Sequence, residues 1–459
     1  MATDYKSQLK GNNGALFQQY WKTLPEPSEN VIRVFVRDAL GHFTLHGKDT
    51  KFMSEILNIE STVRKGNGEM NTTGMDWAMV NLVQLRQLLR ELVIVRGFRV
   101  EIYDRDGDGD WEGVFGSPGN LSTIEQYIFD PSGIDMIIPT CRVMALSYMK
   151  QSAERNVYAI AIVDAETREA LVATVDDDGR CSQLESILVQ VQVREVITSN
   201  TAKERLKEAI NRCSTLLTTV KKDYFAMPTI DDVSSIFTKG FTAANDDHLQ
   251  CVSAAVKYLD LGQNCQLKSR SLDMARFARL DASIFENLHL CSLNETSIYS
   301  ILSAGCVTTQ GARLLRKWIT QPLVRRDEII ERQEIVSTLI ENDELRNRLA
   351  TIELKRLPDI SKVMLKIGQF SRTDAKLSTI TVLNTLLRVN MVCQRLPVLI
   401  ELLTPIENPQ LQSALVQPIT MLDGKIQKLV MLIDTHIESN RKVRFKRGID
   451  SELDEITEK

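Results

Sequence analysis

The sequence predicts a multidomain protein, α/β in its first part and all-α in its second. Two patterns carry this reading. Up to about residue 262, β-branched and apolar runs alternate with helical segments, as α/β units require. From about residue 245, glycine-poor segments repeat apolar residues at helical spacing, interrupted by single prolines such as Pro322, Pro358, Pro397 and Pro405. That predicts long packed helices. The length of 459 residues allows two to four domains.

The elements follow in order. Residues Val31 to Val36 are a strand candidate, and Asp49 to Leu57 a short helix. Leu82, Leu85, Leu88, Leu89 and Leu92 recur at helical spacing and predict an amphipathic helix over 82–95. A strand follows at 98–103, then an acidic run, then a turn at Ser117-Pro118-Gly119-Asn120. Asn156 to Asp164 reads as a buried strand with Glu169 to Val175 as its hairpin partner. Helix 182–190, strand 193–198 and helix 201–213 complete this unit. At the end, Ser451 and Asp454 stand at capping-box spacing. A helix started there has two turns, which are marginal alone, so a truncated polypeptide is expected.

Composition excludes little but directs the search. The net charge of -4 does not advertise nucleic-acid binding, so local basic patches decide that question. None of the eight cysteines forms a CxxC, and no spacing fits zinc; a reducing compartment is expected. The opening MATDYKSQLKGNNG lacks the apolar core of a signal peptide, and no membrane span is expected.

Several motifs invite chemistry and then fail a spacing test. Asp104 to Gly113 (DRDGDGDWEG) opens like a calcium loop, but Phe115 stands where the bidentate glutamate belongs. Its flank is strand-like rather than helical, so an acidic hairpin tip is the simpler reading. Gly41 to Asp49 approximates a phosphate loop with a spacer one residue too long and Asp at the hydroxyl position. Asp164 ends an apolar strand, with Asp176, Asp177 and Asp178 nearby, but no converging carboxylate set for two metals stands out. Asp164 is therefore read as a turn or cap residue. His46, His248, His289 and His436 have no assignable catalytic partners.

Two segments remain. Arg441, Lys442, Arg444, Lys446 and Arg447, with one aromatic among them, could neutralise phosphates or form a solvated linker. In Cys306 to Leu323, Leu314, Leu315, Trp318 and Ile319 share one helix face, while Arg313, Arg316 and Lys317 lie elsewhere. The periodicity predicts a buried helix with a basic side.

That segment resembles the core signature of the MutS family of DNA mismatch-repair proteins. Leu280-Asp281, Asn287 to Leu290, Trp318 to Leu323, Ile329 to Arg332, Leu345-Arg346 and Leu357-Pro358-Asp359 follow the family's order. Residues Val31 to Asp49, Val93 to Arg96, Val100 to Tyr103 and Ser117 to Ser122 resemble the first domain of its eukaryotic homologue-two branch. The resemblance implies a mismatch-binding-like domain at 1–130 and a ribonuclease H-like connector at 131–262. It further implies lever helices at 263–447 and the start of a clamp helix at 448–459.

It also implies function. Mispair-reading members carry Phe-x-Glu in the first domain; His42, Phe43 and Thr44 stand here instead, so both key residues are absent. The expected role is a nuclear subunit that holds duplex DNA without reading the mispair. Its implied partners are MutS homologue six or three and downstream MutL-type proteins. His42, Phe43, Thr44 and the five basic residues of 441–447 are the candidate DNA contacts. No cofactor or metal is expected within the chain, nor enzyme activity; ATP and magnesium are expected for the full-length family member. The alternative reading is a helical protein-interaction scaffold without DNA or ATP activity. A third is a calcium-regulated module at 104–112.

Overall fold

The computed structural model describes residues 20–26, 30–37, 41–57, 76–105, 111–128, 141–151, 155–165, 167–199, 202, 204–229, 236, 245–261, 267–291, 296–361, 363–364, 367, 379–439 and 443–445. Its strands form a five-stranded sheet, β3-β2-β1-β4-β5, a six-stranded sheet, β10-β9-β6-β7-β8-β11, in which β6 is Arg142–Gln151, and a pair, β12-β13. Two compact units divide the chain. The first comprises 1–133, 141–144 and 193–219; the second 134–140, 145–192 and 220–459.

In the first unit, β1 (Val31–Val36) lies parallel to β4 (Arg99–Arg105) and antiparallel to β2 (His42–His46). β3 (Trp77–Asn81) and β5 (Trp111–Gly116) form the edges. Alternation along each strand gives the sheet two chemically different faces. Ile32, Val34, Leu45 and Ile102 are fully buried. So are Met53 of α1 (Thr50–Leu57) and Leu85, Leu88 and Leu89 of α2 (Leu82–Leu89). Asn81 starts α2 with a capping box closed by Gln84. The α-helix ends at Leu89, and a π turn carries Arg90–Val95, so the predicted helix changes hydrogen-bond pattern midway.

The acidic run is bracketed by strands, with Arg105 opposite Trp111, as a hairpin requires and a calcium loop between helices does not. Asp106 to Asp110 lie outside the described residues. The near-match to a phosphate loop also dissolves: the residues between Gly41 and Gly47 are β2. β9 (Val193–Thr198) and β10 (Leu216–Thr219) run parallel, and α4 (Glu204–Arg212), shorter than the predicted 201–213, precedes β10.

In the second unit, β7 (Arg155–Asp164) and β8 (Glu169–Asp178) pair in unbroken register from Arg155↔Asp178 to Asp164↔Glu169. Asp164 turns the hairpin by accepting from the Thr167 amide at 3.1 Å. β11 (Lys268–Ser271) lies parallel to β8. Asp177 accepts from the Gln183 and Leu184 amides, and Asp178 from Ser182, at the start of α3 (Ser182–Gln190). Those aspartates are helix-capping groups. α5 (Asp246–Tyr258) packs on β7 and buries Cys251, Val252, Ala254 and Ala255.

Helices then dominate: α6 (Ala282–Asn287), α7 (Ile298–Ser303), α8 (Thr309–Thr320), α9 (Arg326–Glu341), α10 (Asp343–Arg348), α11 (Thr379–Leu403) and α12 (Asp423–His436). Pro397 does not break α11 but sits inside it, where it removes one intrahelical donor. β12 (Ile437–Ser439) and β13 (Val443–Phe445) make a small antiparallel pair, which the all-α expectation missed. Among the described residues no helix is long and apolar enough to cross a membrane. The capping-box pattern at Ser451 and Asp454, and the eighth cysteine, Cys265, lie outside the described residues. The other seven cysteines form no disulfide, and four of them are buried.

Candidate nucleic-acid interface

The polar face of the first unit's sheet is built by register. Arg33 on β1 stands beside Glu101 on β4, and Phe35 beside Tyr103. Arg33 Nε donates to Glu101 at 2.6 Å, and Tyr103 donates to the same carboxylate at 2.9 Å. Arg33 Nη2 also holds the Pro25 carbonyl at 2.6 Å. Phe35 and Tyr103 stack with ring centroids 5.2 Å apart, and Tyr20 stacks on Trp111 at 5.4 Å. Trp21 packs on Phe35 and His46. A sheet face carrying a charged pair is thus roofed by aromatic rings from residues 20–24.

Burial sets the protonation chemistry here. His46 is driven down to about 3 by burial, reinforced by the neighbouring Arg37 guanidinium, so it is neutral at physiological pH. Asp49 is 2% exposed, and burial pushes its carboxyl up to about 6 against the pull of the Arg33 amide, which donates to it at 2.9 Å.

The three candidate contacts on β2 fall differently. Phe43 is 3% exposed and meets Tyr127 edge-on at 5.8 Å, so its ring is a core group. Thr44 is 1% exposed, and its hydroxyl accepts from Arg37 Nε at 2.7 Å. His42 is half-buried, and its carbonyl accepts from the Arg37 amide at 2.9 Å. Arg37 thereby pins β2 through His42, Thr44 and His46. Sequence reading missed Arg37, Arg33, Glu101 and Asp49. The available signal was a lone arginine inside the apolar run Val31 to Val36, since a buried charge demands a partner.

The basic run lies mostly beyond view. Arg441, Lys442, Lys446 and Arg447 lie outside the described residues. Arg444 is in β13, in register with Glu438, so its backbone is strand rather than linker.

The buried helix expected at 306–323 requires correction. In α8 only Ala312 and Thr320 are buried; Leu314 is 51% and Trp318 37% exposed. Trp318 instead carries the Arg332 guanidinium 4.3 Å from its ring centroid, beside a cleft of about 550 Å3 lined partly by Leu323 and Val336. The basic side is structural as well. Arg313 makes a bidentate pair with Asp359 at 2.7 Å on each arm, and Arg316 lies over the Tyr299 ring.

Burial in this segment falls at its end. Gln190, fully buried on α3, donates to the Ala278 and Thr320 carbonyls at 2.8 and 3.1 Å. Gln321 returns a bond to the Gln190 carbonyl at 3.0 Å, and the Ala278 amide donates to the Pro322 carbonyl. Thr320-Gln321-Pro322 thus docks onto α3 and the segment 276–278. This amide-centred node had no signal in periodicity, because a glutamine on a helix face looks like a solvated one.

Comparison with known proteins places this architecture. Residues 15–115 match MutS domain I, 141–270 match MutS domain II, and 283–458 match MutS domain III. The DNA mismatch repair protein msh-2 of Neurospora crassa is 26% identical over 99% of this chain and 50% of its own length. The Drosophila melanogaster protein spellchecker 1 is 26% identical over 96% of this chain and 50% of its own. A bacterial relative, the mismatch repair protein MutS of Petrotoga mobilis, is 24% identical over 96% and 51%. The chain spans about half the length of the curated relatives it matches. With three domains in the family's order and MSH2 proteins among the relatives, the chain belongs to the MutS family and resembles its MSH2 members.

Proposed function

We propose that this chain forms the DNA-facing part of a mismatch-repair subunit that holds duplex without reading the mispair. The observation that supports this most is at β2. His42, Phe43 and Thr44 replace the Phe-x-Glu of mispair readers, and Phe43 is 3% exposed. A ring packed in the core cannot wedge between bases without unfolding its strand. What remains for this subunit is contact with phosphates, which fixes register without sequence information. In this reading the half-buried His42 and the basic residues Arg441, Lys442, Arg444, Lys446 and Arg447 line the duplex, while Thr44, 1% exposed, is a buried partner of Arg37. The partner that reads the mispair is MutS homologue six or three, MutL-type proteins act downstream, and the assembly works in the nucleus. Domain II takes the ribonuclease H-like connector role, and the helices after it the lever role. Nucleotide hydrolysis, with ATP and magnesium, is assigned to the parts of the family protein not spanned here.

Filter binding tests this. The purified chain should retain a mismatched duplex and its matched counterpart equally well. Retention of the mismatched duplex alone would refute the non-reading role.

A second reading has its own support. Val336, Ile340, Met431 and Leu432 are exposed apolar residues on α9 and α12, as a protein-binding scaffold would have. A scaffold would show no duplex retention at low salt.

A further inference from the structure

The turn Ser117-Pro118-Gly119-Asn120 is more than a chain reversal. Its two ends bond to each other, Asn120 amide to Ser117 carbonyl at 3.0 Å and Ser117 amide to Asn120 carbonyl at 3.2 Å. What lies beneath it is a carboxylate. Glu195, on β9, is 0% exposed. The Ser117 hydroxyl donates to Glu195 Oε2 at 2.5 Å, and the Thr218 hydroxyl of β10 donates to Oε1. A carboxylate only accepts, so one side chain gathers donors from a turn and a strand distant in sequence.

Two further observations converge on the same place. Gly119 lies so close to Glu195 that a Cβ there would sit 2.8 Å from Glu195 Cβ and 2.7 Å from Val143 Cγ2. Only glycine permits that approach. On the other flank, Arg99 of β4 reaches across to the Leu217 carbonyl at 3.1 Å and the Thr218 hydroxyl at 2.5 Å. It is also 3.9 Å from Glu195. The β4 strand and the 117–120 turn come from residues matching MutS domain I or just after it; β9 and β10 come from residues matching MutS domain II.

We propose that Glu195 is a latch: its buried carboxylate locks the first α/β domain onto strands β9 and β10, so that the two move as one body. The latch has three parts. The carboxylate gathers the Ser117 and Thr218 hydroxyls, the bare Cα of Gly119 allows the approach, and Arg99 braces the far side. The domain cannot reorient against β9 and β10 without stripping all hydroxyl donors from a buried charge, which is strongly disfavoured. This assignment does not depend on the nucleic-acid reading.

Hydrogen-exchange mass spectrometry on the full chain tests it. In Glu195→Gln, peptides covering 116–121 and 214–219 should exchange about tenfold faster, while those covering β1 to β3 and β7 to β8 keep their rates. Gly119→Ala, a wedge at the same contact, should give the same local pattern. Unchanged exchange at both peptides in Glu195→Gln would overturn the latch, and so would acceleration spread evenly over the chain, which marks a general stability role. Should either variant fail to fold, Ser117→Ala removes one hydroxyl from the turn. It should speed the same two peptides alone. Combined with Glu195→Gln it should add nothing further, because both changes break one interaction. Additive effects of the two substitutions would refute the latch.

Discussion

Helices α2 and α9 carry similar sequence signals and meet opposite fates. Both repeat apolar residues at helical spacing. In α2, Leu85, Leu88 and Leu89 are 0% exposed beneath the first sheet. In α9 no residue is buried; Val336 is 45% and Ile340 60% exposed. Periodicity makes a helix amphipathic, but only a neighbouring surface makes its apolar stripe a core. The first unit supplies that surface with the sheet itself. Around α9 and α12 the apolar contact is narrower: Ile335 and Leu339 lie half-buried against Leu403, Leu411 and Val416, and Ile433 packs in a cluster with Leu383. Polar bonds distant in sequence add to it, Asn408 Nδ2 donating to the Thr338 hydroxyl at 2.7 Å and Asn390 Nδ2 to Asp434 at 2.8 Å.

Equal substitutions in the two regions should therefore have unequal costs. Leu88→Ala empties a fully buried site and should destabilise the chain by about 2–5 kcal/mol in a denaturant melt. A loss below about 1 kcal/mol would mean that the sheet does not hold α2 as tightly as its burial implies.

Next in size is a pH-dependent effect confined to the first unit. Asp49 has its carboxyl raised to about 6, above its unfolded value. A raised carboxyl stabilises the fold, relative to its ionised form, only while the folded state keeps the proton. That benefit is complete below the unfolded pKa and disappears as pH rises through 6. Asp49→Asn removes the cost of ionising a buried acid, so it should stabilise the chain above pH 6 by up to about 3 kcal/mol. The gain should vanish below about pH 4. His46 works the other way. Its pKa is lowered to about 3, so its contribution is present above the unfolded histidine value and is lost as pH falls toward 3. A gain for Asp49→Asn that is constant from pH 4 to 8 would contradict the assignment.

A smaller effect is expected at the amide node. Gln190→Leu keeps volume but strips two donors from the Ala278 and Thr320 carbonyls, for a loss of about 1–3 kcal/mol in thermal unfolding. At the bottom of the scale, Leu432→Ala on α12, at 59% exposure, should change stability by under about 0.5 kcal/mol. It should also reduce binding of an apolar dye such as anilinonaphthalene sulfonate. Loss of several kcal/mol there would show that α12 is packed far more tightly than its exposure allows.

What the sequence disclosed follows the same division. The predicted helix 182–190 and strand 193–198 match the observed elements to the residue. The aspartates that cap α3 mark its start chemically, and the strand is an almost continuously buried run. The strand predicted at 156–164 was one residue short. Trp318 was misjudged because periodicity says which residues share a face, not whether anything covers it. Phe43 could not be placed from its neighbours in sequence; its burial depends on Tyr127, eighty-four residues away. Arg33 and Glu195 are invisible to pattern reading because their partners are assembled by sheet register and by a distant turn. The basic residues at 441–447 were legible as charge, while their role rests on what the duplex test returns.

The most direct test of a backbone-holding subunit is the salt dependence of duplex binding, followed by fluorescence anisotropy from low to moderate salt. Neutralising phosphates releases counterions, so the logarithm of affinity should fall linearly with the logarithm of salt concentration. The account predicts one negative slope shared by matched and G·T-containing duplexes. A salt-independent affinity, or a slope that differs between the two duplexes, would contradict it.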